Sequence, residues 1–313
     1  SAFQIAYVPD NDGDRGNLVF VSNSGTAEPL EAQQVFALVV LGELAWLEHT
    51  GVLTYDDAGR PTTPTAVVVN GPTSLRIDRI ADAFGADVHR AEVGEANVVG
   101  LAAELRGKGY LVRMLGEGSN GGNITYPATV RDPINTLTTL FKIHGYHLHE
   151  YWTKRTSTAA KTNTDSLWEL TALLPRFTTT PTSAERAVMA VAQVEHSVLK
   201  ARYEELFRDR AHKAVALLSP IFGELTWREY NLEGTECRLG VGSDFRSGRE
   251  SGGLRVEFVD RDDVPRAAIW MRGSGTEAVF RVLADVEGDR PELEHALLDW
   301  HRGIVEAASQ IGR

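Results

Sequence analysis

The sequence predicts an α/β protein in two parts: a mixed α/β domain around a parallel sheet, then a separate C-terminal α+β domain. Three observations predict it. Strand-like and helix-like segments alternate through the first half, which implies parallel strands joined by right-handed crossovers. From residue 225 five strand-like runs follow one another and a single amphipathic helix closes the chain, as in segregated α+β folds. The 313 residues are 42% apolar and 24% charged, an ordinary globular composition with length for more than one core.

Taken in order, residues 3–8 read as a strand that empties into Asp10-Asn11-Asp12-Gly13-Asp14-Arg15. A short strand at 18–21 and a turn-rich stretch to Pro29 follow. Residues 31–49 form an apolar-rich helix closed by Gly51. After a loop at 54–64, residues 66–69 are β-branched and unbroken, as in a strand buried on both faces. Asn70-Gly71-Pro72 leads into a helix over 74–84, stopped by Gly85. A strand at 87–93, a helix at 97–106 and a strand at 111–115 continue the alternation. Asp132-Pro133 is a helix start, with an N-cap carboxylate before a first-turn proline, and Ile134, Leu137, Leu140 and Phe141 give that helix an apolar stripe.

Residues 151–181 loosen into loop around a short helix at 166–174. Thr182-Ser183-Ala184-Glu185 reads as a capping box opening a long helix toward residue 207. Strands are expected at 225–232, 236–242, 254–260, 267–271 and 279–286. The last helix, 291–309, carries Leu293, Leu297, Trp300, Ile304 and Ala308 on one stripe. Trp46, Trp168, Trp227, Trp270 and Trp300 fall at apolar positions and are expected in cores.

The formal charge of −11 argues against a general nucleic-acid or anionic-membrane surface, so any phosphate ligand must be held by local arginines. The single cysteine, Cys237, fits a reducing cytoplasm and, lying in a strand, is expected to be buried packing. No apolar run reaches the roughly 20 residues of a bilayer span.

Three loops carry chemistry. Asp10, Asp12 and Asp14 stand at alternate positions of a tight loop, where carboxylate oxygens can converge on one hard divalent cation, with Arg15 as a fixed neighbouring charge. An EF-hand would need Gly and Glu where Arg15 and Val21 stand, so that reading fails. A haloacid-dehalogenase-like phosphatase, with Asp10 as nucleophile and Asp12 as acid, and a plain acidic turn are the other readings. Almost nothing precedes this loop, too little to wall a metal site, so the chain is expected to be the later part of a longer protein, with Ser1-Ala2 a processing remnant.

The second loop, 116–122, follows a strand. Gly116, Gly118 and Gly121 match the dinucleotide fingerprint, but no helix opens promptly after them, and no Gly-Lys-Ser/Thr follows for a P-loop. Glu117 and Ser119 at a strand's C-terminal end suit neighbouring hydroxyls of a sugar ring, against a connector with Glu117 in solvent. In the third loop Gly273 and Gly275 form an anion nest, Ser274 and Thr276 add hydroxyl donors, and Arg272 a bidentate fork. Arg281 on the outgoing strand would complete a cage for a phosphate dianion, a plain hairpin turn being the other reading.

In this order the three loops resemble the α-D-phosphohexomutases, the phosphoglucomutase and phosphomannomutase superfamily. Its D-x-D-G-D-R metal loop matches Asp10 to Arg15, its G-E-x-S sugar loop Gly116 to Ser119, and its R-x-S-G-T-E phosphate loop Arg272 to Glu277. Thr73-Ser74, the stretch from Arg90 through Gly94 and Glu95, Arg131-Asp132 and Arg281-Val282 also look like the family pattern. The family's T-x-S-H-N-P serine loop has no counterpart, Ala96 stands where a basic residue is common, and Ala278 replaces a usual proline.

The resemblance implies a phosphohexomutase-like α/β sugar domain and a TBP-like α+β phosphate domain. It divides the chain into 1–28, the end of a metal-binding domain; 29–180, the sugar domain; 181–222, a helical connector; and 223–313, the phosphate domain. It also implies Mg²⁺ on Asp10, Asp12 and Asp14, supported by Arg15. A hexose phosphate substrate would be gripped by Gly94, Glu95, Glu117, Ser119, Arg272, Ser274, Gly275, Thr276 and Arg281, and a phosphoserine supplied by an N-terminal domain outside this chain. The chain alone would then lack turnover. A non-catalytic sugar-phosphate binder is the competing outcome.

Two further features stand apart. His144, His147 and His149 cluster without nearby Cys or H-E-x-x-H spacing, and read as cations at a helix C-terminus rather than zinc ligands. Asp262-Asp263 reads as a turn, a metal pair only on the phosphatase reading.

Overall fold

Gly13, at φ +74°, takes the left-handed turn that strains any L side chain, and so folds β1 (Ile5–Pro9) back along β2 (Gly16–Val21). The computed structural model describes residues 5–22, 24–156, 171–190, 195–240, 242–245, 252–273 and 279–310. Pairing of Pro9 with Gly16 closes the antiparallel hairpin and leaves 10–15 as its loop. A third strand, β3 (Ala27–Leu30), joins the edge of β2 where the sequence suggested only turns.

The chain divides into two units, one of residues 1–89 and 94–175, the other of 90–93 and 176–313. In the first, α1 (Ala32–His49) starts at a capping box of Glu31 and Gln34. It is apolar nearly all round, and Val35, Phe36, Val39 and Val40 are fully buried. At about 1.5–3 kcal/mol per large apolar side chain, it is the main pillar of this core.

The unbroken strand β4 (Thr65–Asn70) is buried along its whole length, as its composition predicts, and runs parallel to β6 (Leu111–Glu117). The sheet order is β5 (Asp87–Ala91), β4, β6 and β7 (Gly122–Thr125). β7 turns back antiparallel on β6, so the glycine loop opens a hairpin, not a helix. The helices α2 (Arg76–Ala83) and α3 (Glu95–Gly107) fall where expected.

In α4 (Pro133–Gly145) the Asp132 carboxylate accepts from the Ile134 N–H at 2.8 Å, the predicted cap. The predicted stripe needs correction: Ile134 and Phe141 are exposed, and Thr136, Thr139, Leu140 and Ile143 form the buried face. A further helix, α5 (His149–Thr156), replaces the expected loop, anchored by buried Trp152, whose indole N–H donates to the Leu173 carbonyl at 3.0 Å. Most of the short helix expected at 166–174 lies outside the described residues.

The second unit is built on an antiparallel sheet ordered β11 (Glu236–Leu239), β10 (Thr226–Glu233), β12 (Leu254–Val259), β13 (Pro265–Gly273), β14 (Val279–Glu287) and β8 (Phe177–Thr179). The capping-box reading is overturned: 185–187 make one 3₁₀ turn, and β9 (Val188–Ala190) pairs with β14. The long helix α6 (His196–Phe222) starts only after it, because Val188 and Met189 gain ladder bonds against Arg281 and Phe280.

Helix α6 and the last helix, α7 (Pro291–Gln310), bury Tyr203, Phe207, Leu297 and Ile304 with Phe258 and Val282 in one core. Trp270, on the alternate register, packs with Leu232, Leu283 and Val93. Trp227 is exposed, contrary to expectation, and Trp168 lies outside the described residues. Cys237 is likewise exposed, because β11 is the sheet's edge strand. Among the described residues no helix is long and apolar enough to cross a membrane.

Candidate functional site

The acidic loop in the first unit is held by its own backbone. The Asp10 N–H donates to the Arg15 carbonyl at 3.0 Å, and the Gly13 N–H to the Asp10 carbonyl at 3.2 Å. Within this frame Asp10, Asp12 and Asp14 each offer a carboxylate oxygen, all within 4.8 Å of one another. An open depression of about 450 Å³ is lined by Asp10, Asn11, Asp12 and Arg15.

Arg15 stands against this charge, its Nε 2.9 Å from one Asp10 oxygen and 3.2 Å from Asp14. Desolvation pushes the Asp10 carboxyl up, but the Arg15 N–H and guanidinium outweigh it and hold it below the ordinary carboxylate value. The other Asp10 oxygen accepts from the Arg15 N–H at 3.2 Å. Both oxygens therefore face Arg15. Tyr7 reports the same field: burial first, then Asp10, Asp14 and Asp132, push its hydroxyl up.

The glycine loop after β6 depends on close backbone approach. Gly116 takes φ +149°, and a Cβ there would sit 2.1 Å from the Gly122 carbonyl oxygen. Glu117, at the end of β6, is buried, not in solvent. Its Oε1 accepts from the Gly94 N–H at 2.7 Å and the Asn70 amide at 3.2 Å, and its Oε2 accepts from Asn120 at 3.1 Å. The same Asn70 amide donates to buried Ser119 at 3.0 Å. Glu117 and Ser119 are thus fastened around Asn70, the last residue of β4.

Arg131 joins the two loops. Its Nε lies 3.2 Å from Asp14 and 2.5 Å from Glu95, and its outer nitrogen 4.0 Å from Glu117. Gly122 leaves it room, since a Cβ there would meet the Arg131 Cδ at 2.7 Å. Four of the expected positions, Asp14, Gly94, Glu95 and Glu117, therefore form one connected cluster. The roles of Arg131, Asn70 and Asn120 went unread. Asn70 in its Asn-Gly-Pro turn at the tip of a buried strand was the available signal.

In the second unit Arg272 and Arg281 are direct cross-strand partners at the loop end of the β13–β14 hairpin. The Arg272 Nε lies 3.2 Å from the buried carboxylate of Glu92. Glu92 also accepts from the Val93 N–H at 2.7 Å and from Gly253. Burial raises the Glu92 pKa, with the Gly253 N–H and then Arg272 pulling the other way. A Cβ on Gly273 would meet the His196 ring at 2.4 Å, so the base of this loop is packed against the start of α6. Ser274, Gly275 and Thr276 lie outside the described residues. Asp262-Asp263 is a turn, in which the Asp260 carboxylate accepts from the Asp262 and Val264 N–H groups at 3.0 Å.

No protein-family model and no curated protein matches the sequence. Solved structures do. The chain resembles a phosphoglucomutase/phosphomannomutase family protein from Burkholderia thailandensis, at 15% identity and TM-score 0.53, over 100% of this chain and 48% of that one. A phosphoglucomutase from Paramecium aligns at 14% identity and TM-score 0.53, over 99% and 46%. N-acetylglucosamine-phosphate mutase, an α-D-phosphohexomutase, aligns at 14% and 0.55, over 96% and 49%. The chain has the fold of phosphohexomutase domains and spans about half the length of these mutases.

Proposed function

We propose that this chain carries the metal, sugar and phosphate modules of a phosphohexomutase. The reaction would interconvert hexose 1-phosphate and hexose 6-phosphate, as phosphoglucomutases and phosphomannomutases do, with the phosphoserine on a domain outside this chain. The observation that carries the reading is the joining of the acidic loop, Glu95 and Glu117 through Arg131.

Asp10, Asp12 and Asp14 would hold Mg²⁺. The fit rests on the donor set, three hard carboxylate oxygens close together beside a cation too few to neutralise them. When bound, the ion would supply charge neutralisation for the phosphoryl group in flight.

The chain's own residues do the positioning. Glu117 and Ser119, pinned by Asn70, would orient ring hydroxyls, and Gly94 fixes the carboxylate's direction. Arg272, which already has Glu92 as one partner, and Arg281 are cross-strand neighbours, and two guanidinium groups on one side of the ladder suit the phosphate that is not reacting. A hydroxyl clamp and an anion cage read features common to both substrate orientations, as a mutase needs.

The test is calorimetric titration of the chain with glucose 1,6-bisphosphate in Mg²⁺. Stoichiometric binding that weakens in both Asp12→Asn and Arg281→Ala is expected, without turnover. Mutase turnover by the chain alone would contradict the reading, as would phosphate release abolished by Asp10→Asn.

A further inference from the structure

The turn between α4 and α5 holds side chains that the sugar-phosphate reading leaves unused. His147, His149 and Glu150 each offer a ligand atom, and the three atoms lie within 4.8 Å of one another. His149 is only 6% exposed and makes the floor, with His147 and Glu150 exposed around it.

The turn is fastened at several points. Leu148, between the two histidines, is fully buried, and its N–H donates to the Ile143 carbonyl at 3.1 Å. The Glu150 N–H donates to the His147 carbonyl at 3.0 Å. His147 itself adopts φ +52°, uncommon outside glycine, and its ring centroid comes within 6.0 Å of the His149 ring. The charged groups acting on His149 are Glu150, His147 and His144.

We propose that His147, His149 and Glu150 bind a transition-metal dication of the zinc class, at a site separate from the carboxylate loop. Two imidazole nitrogens with one carboxylate oxygen favour Zn²⁺, Co²⁺, Ni²⁺ or Cu²⁺ over Mg²⁺, whereas the all-carboxylate loop favours the hard ion. Bonds of about 2.0–2.1 Å bring ligand atoms closer together than they stand here, a closure the exposed His147 and Glu150 can supply by rotamer change. Three protein ligands leave a further position for water or for His144. The ion would brace the turn at His147 against the first residues of α5, binding the folded chain in preference to the unfolded one.

The test is Co²⁺ titration of the 313-residue chain, followed by visible absorption in excess Mg²⁺ to fill the carboxylate loop, with thermal unfolding in Zn²⁺ alongside. One equivalent of Co²⁺ should give the d–d bands of an imidazole-bound ion, and Zn²⁺ should displace it and raise the unfolding temperature. His147→Asn, which tolerates the left-handed backbone, and Glu150→Gln should each weaken binding by about tenfold or more. Absence of the bands, their loss on adding Mg²⁺, or their survival unchanged in His147→Asn would overturn the site.

Discussion

Glu117→Gln changes one atom and should be costly, because every polar group that the described residues turn toward this side chain is a donor. Gly94 and Asn70 donate to one oxygen, Asn120 donates to the other, and the Arg131 guanidinium stands 4.0 Å away. A carboxylate only accepts, so it satisfies all of them. An amide must aim its NH₂ at one pair of donors. The cheaper orientation faces Asn120, which is half-buried and can swing aside, and keeps the Gly94 and Asn70 bonds. Those two then fall from charge-assisted to neutral, at about 1 kcal/mol each. The lost Asn120 bond and an unpaired buried NH₂ add about 1–2 kcal/mol. A loss of about 3 kcal/mol in local stability follows. Hydrogen exchange read on peptides spanning 111–125 measures it directly. A change below about 0.5 kcal/mol would refute the all-donor account of this pocket, and unaltered hexose bisphosphate binding in the same variant would remove Glu117 from sugar recognition.

Glu43, fully buried, accepts from Thr139 at 2.5 Å, Lys142 at 2.6 Å and Arg113 at 2.9 Å. Desolvation would raise its pKa, but Lys142 and then Thr139 outweigh it and hold it below the usual value. Its stabilisation is therefore present above the unfolded carboxyl pKa and lost as pH falls through the folded one. Glu43→Gln should cost about 2–4 kcal/mol at pH 7 in urea unfolding and flatten the acid limb. Glu229 runs the other way: burial, against the Trp227 N–H, raises its pKa to about 7. Its contribution is intact below the unfolded value and lost as pH rises through 7, so Glu229→Gln should stabilise the second unit at pH 8 relative to pH 5, by at most about 3 kcal/mol in pH-dependent denaturation. Gly122→Ala should displace Arg131 and loosen the link between the acidic loop and the glycine loop after β6, read as weaker Mg²⁺-dependent bisphosphate binding by calorimetry with little change in urea midpoint. Asp12→Asn removes an exposed like charge, so the metal-free chain should gain a few tenths of a kcal/mol while the rise in unfolding temperature with Mg²⁺ disappears.

The legible parts of the fold were those where local pattern and tertiary context agree. The unbroken β4, the Asp132-Pro133 start of α4 and the five strands after residue 225 each state their environment in their own residues. The failures share one cause. A capping-box pattern at 182–185 yields to strand pairing with β14, a contact nearly a hundred residues away that no local window contains. Phe141 fits an apolar stripe by spacing yet faces solvent, because Gly42 of α1 meets α4 at Thr139 and Ile143 and sets which side is buried. Cys237 follows the same rule: a strand at the edge of a sheet exposes what a central strand would hide. Within the candidate site, loop residues were readable because glycine, aspartate and arginine in fixed order constrain chemistry. Arg131, Asn70 and Asn120 were not, since their roles exist only once β4, β6 and the segment before α4 converge.

That convergence explains why an arginine sits amid so many acids. Asp10, Asp12, Asp14, Glu95 and Glu117 crowd a small region, and a protein that simply avoided repulsion would not gather them. Arg15 and Arg131 offset part of the charge but stay on its flanks, leaving the Asp12 side exposed. A cation placed on the three aspartates would leave both arginines still paired, with Asp10 and Asp14 in one case and with Glu95 in the other. Neutralising the loop with a third arginine would instead fill the depression beside Asp10, Asn11 and Asp12. The arrangement keeps the charge deficit where a small ion can enter. Through Arg131 it also ties the position of Asp14 to that of Glu117, so that the ion and a sugar hydroxyl would be placed by one guanidinium.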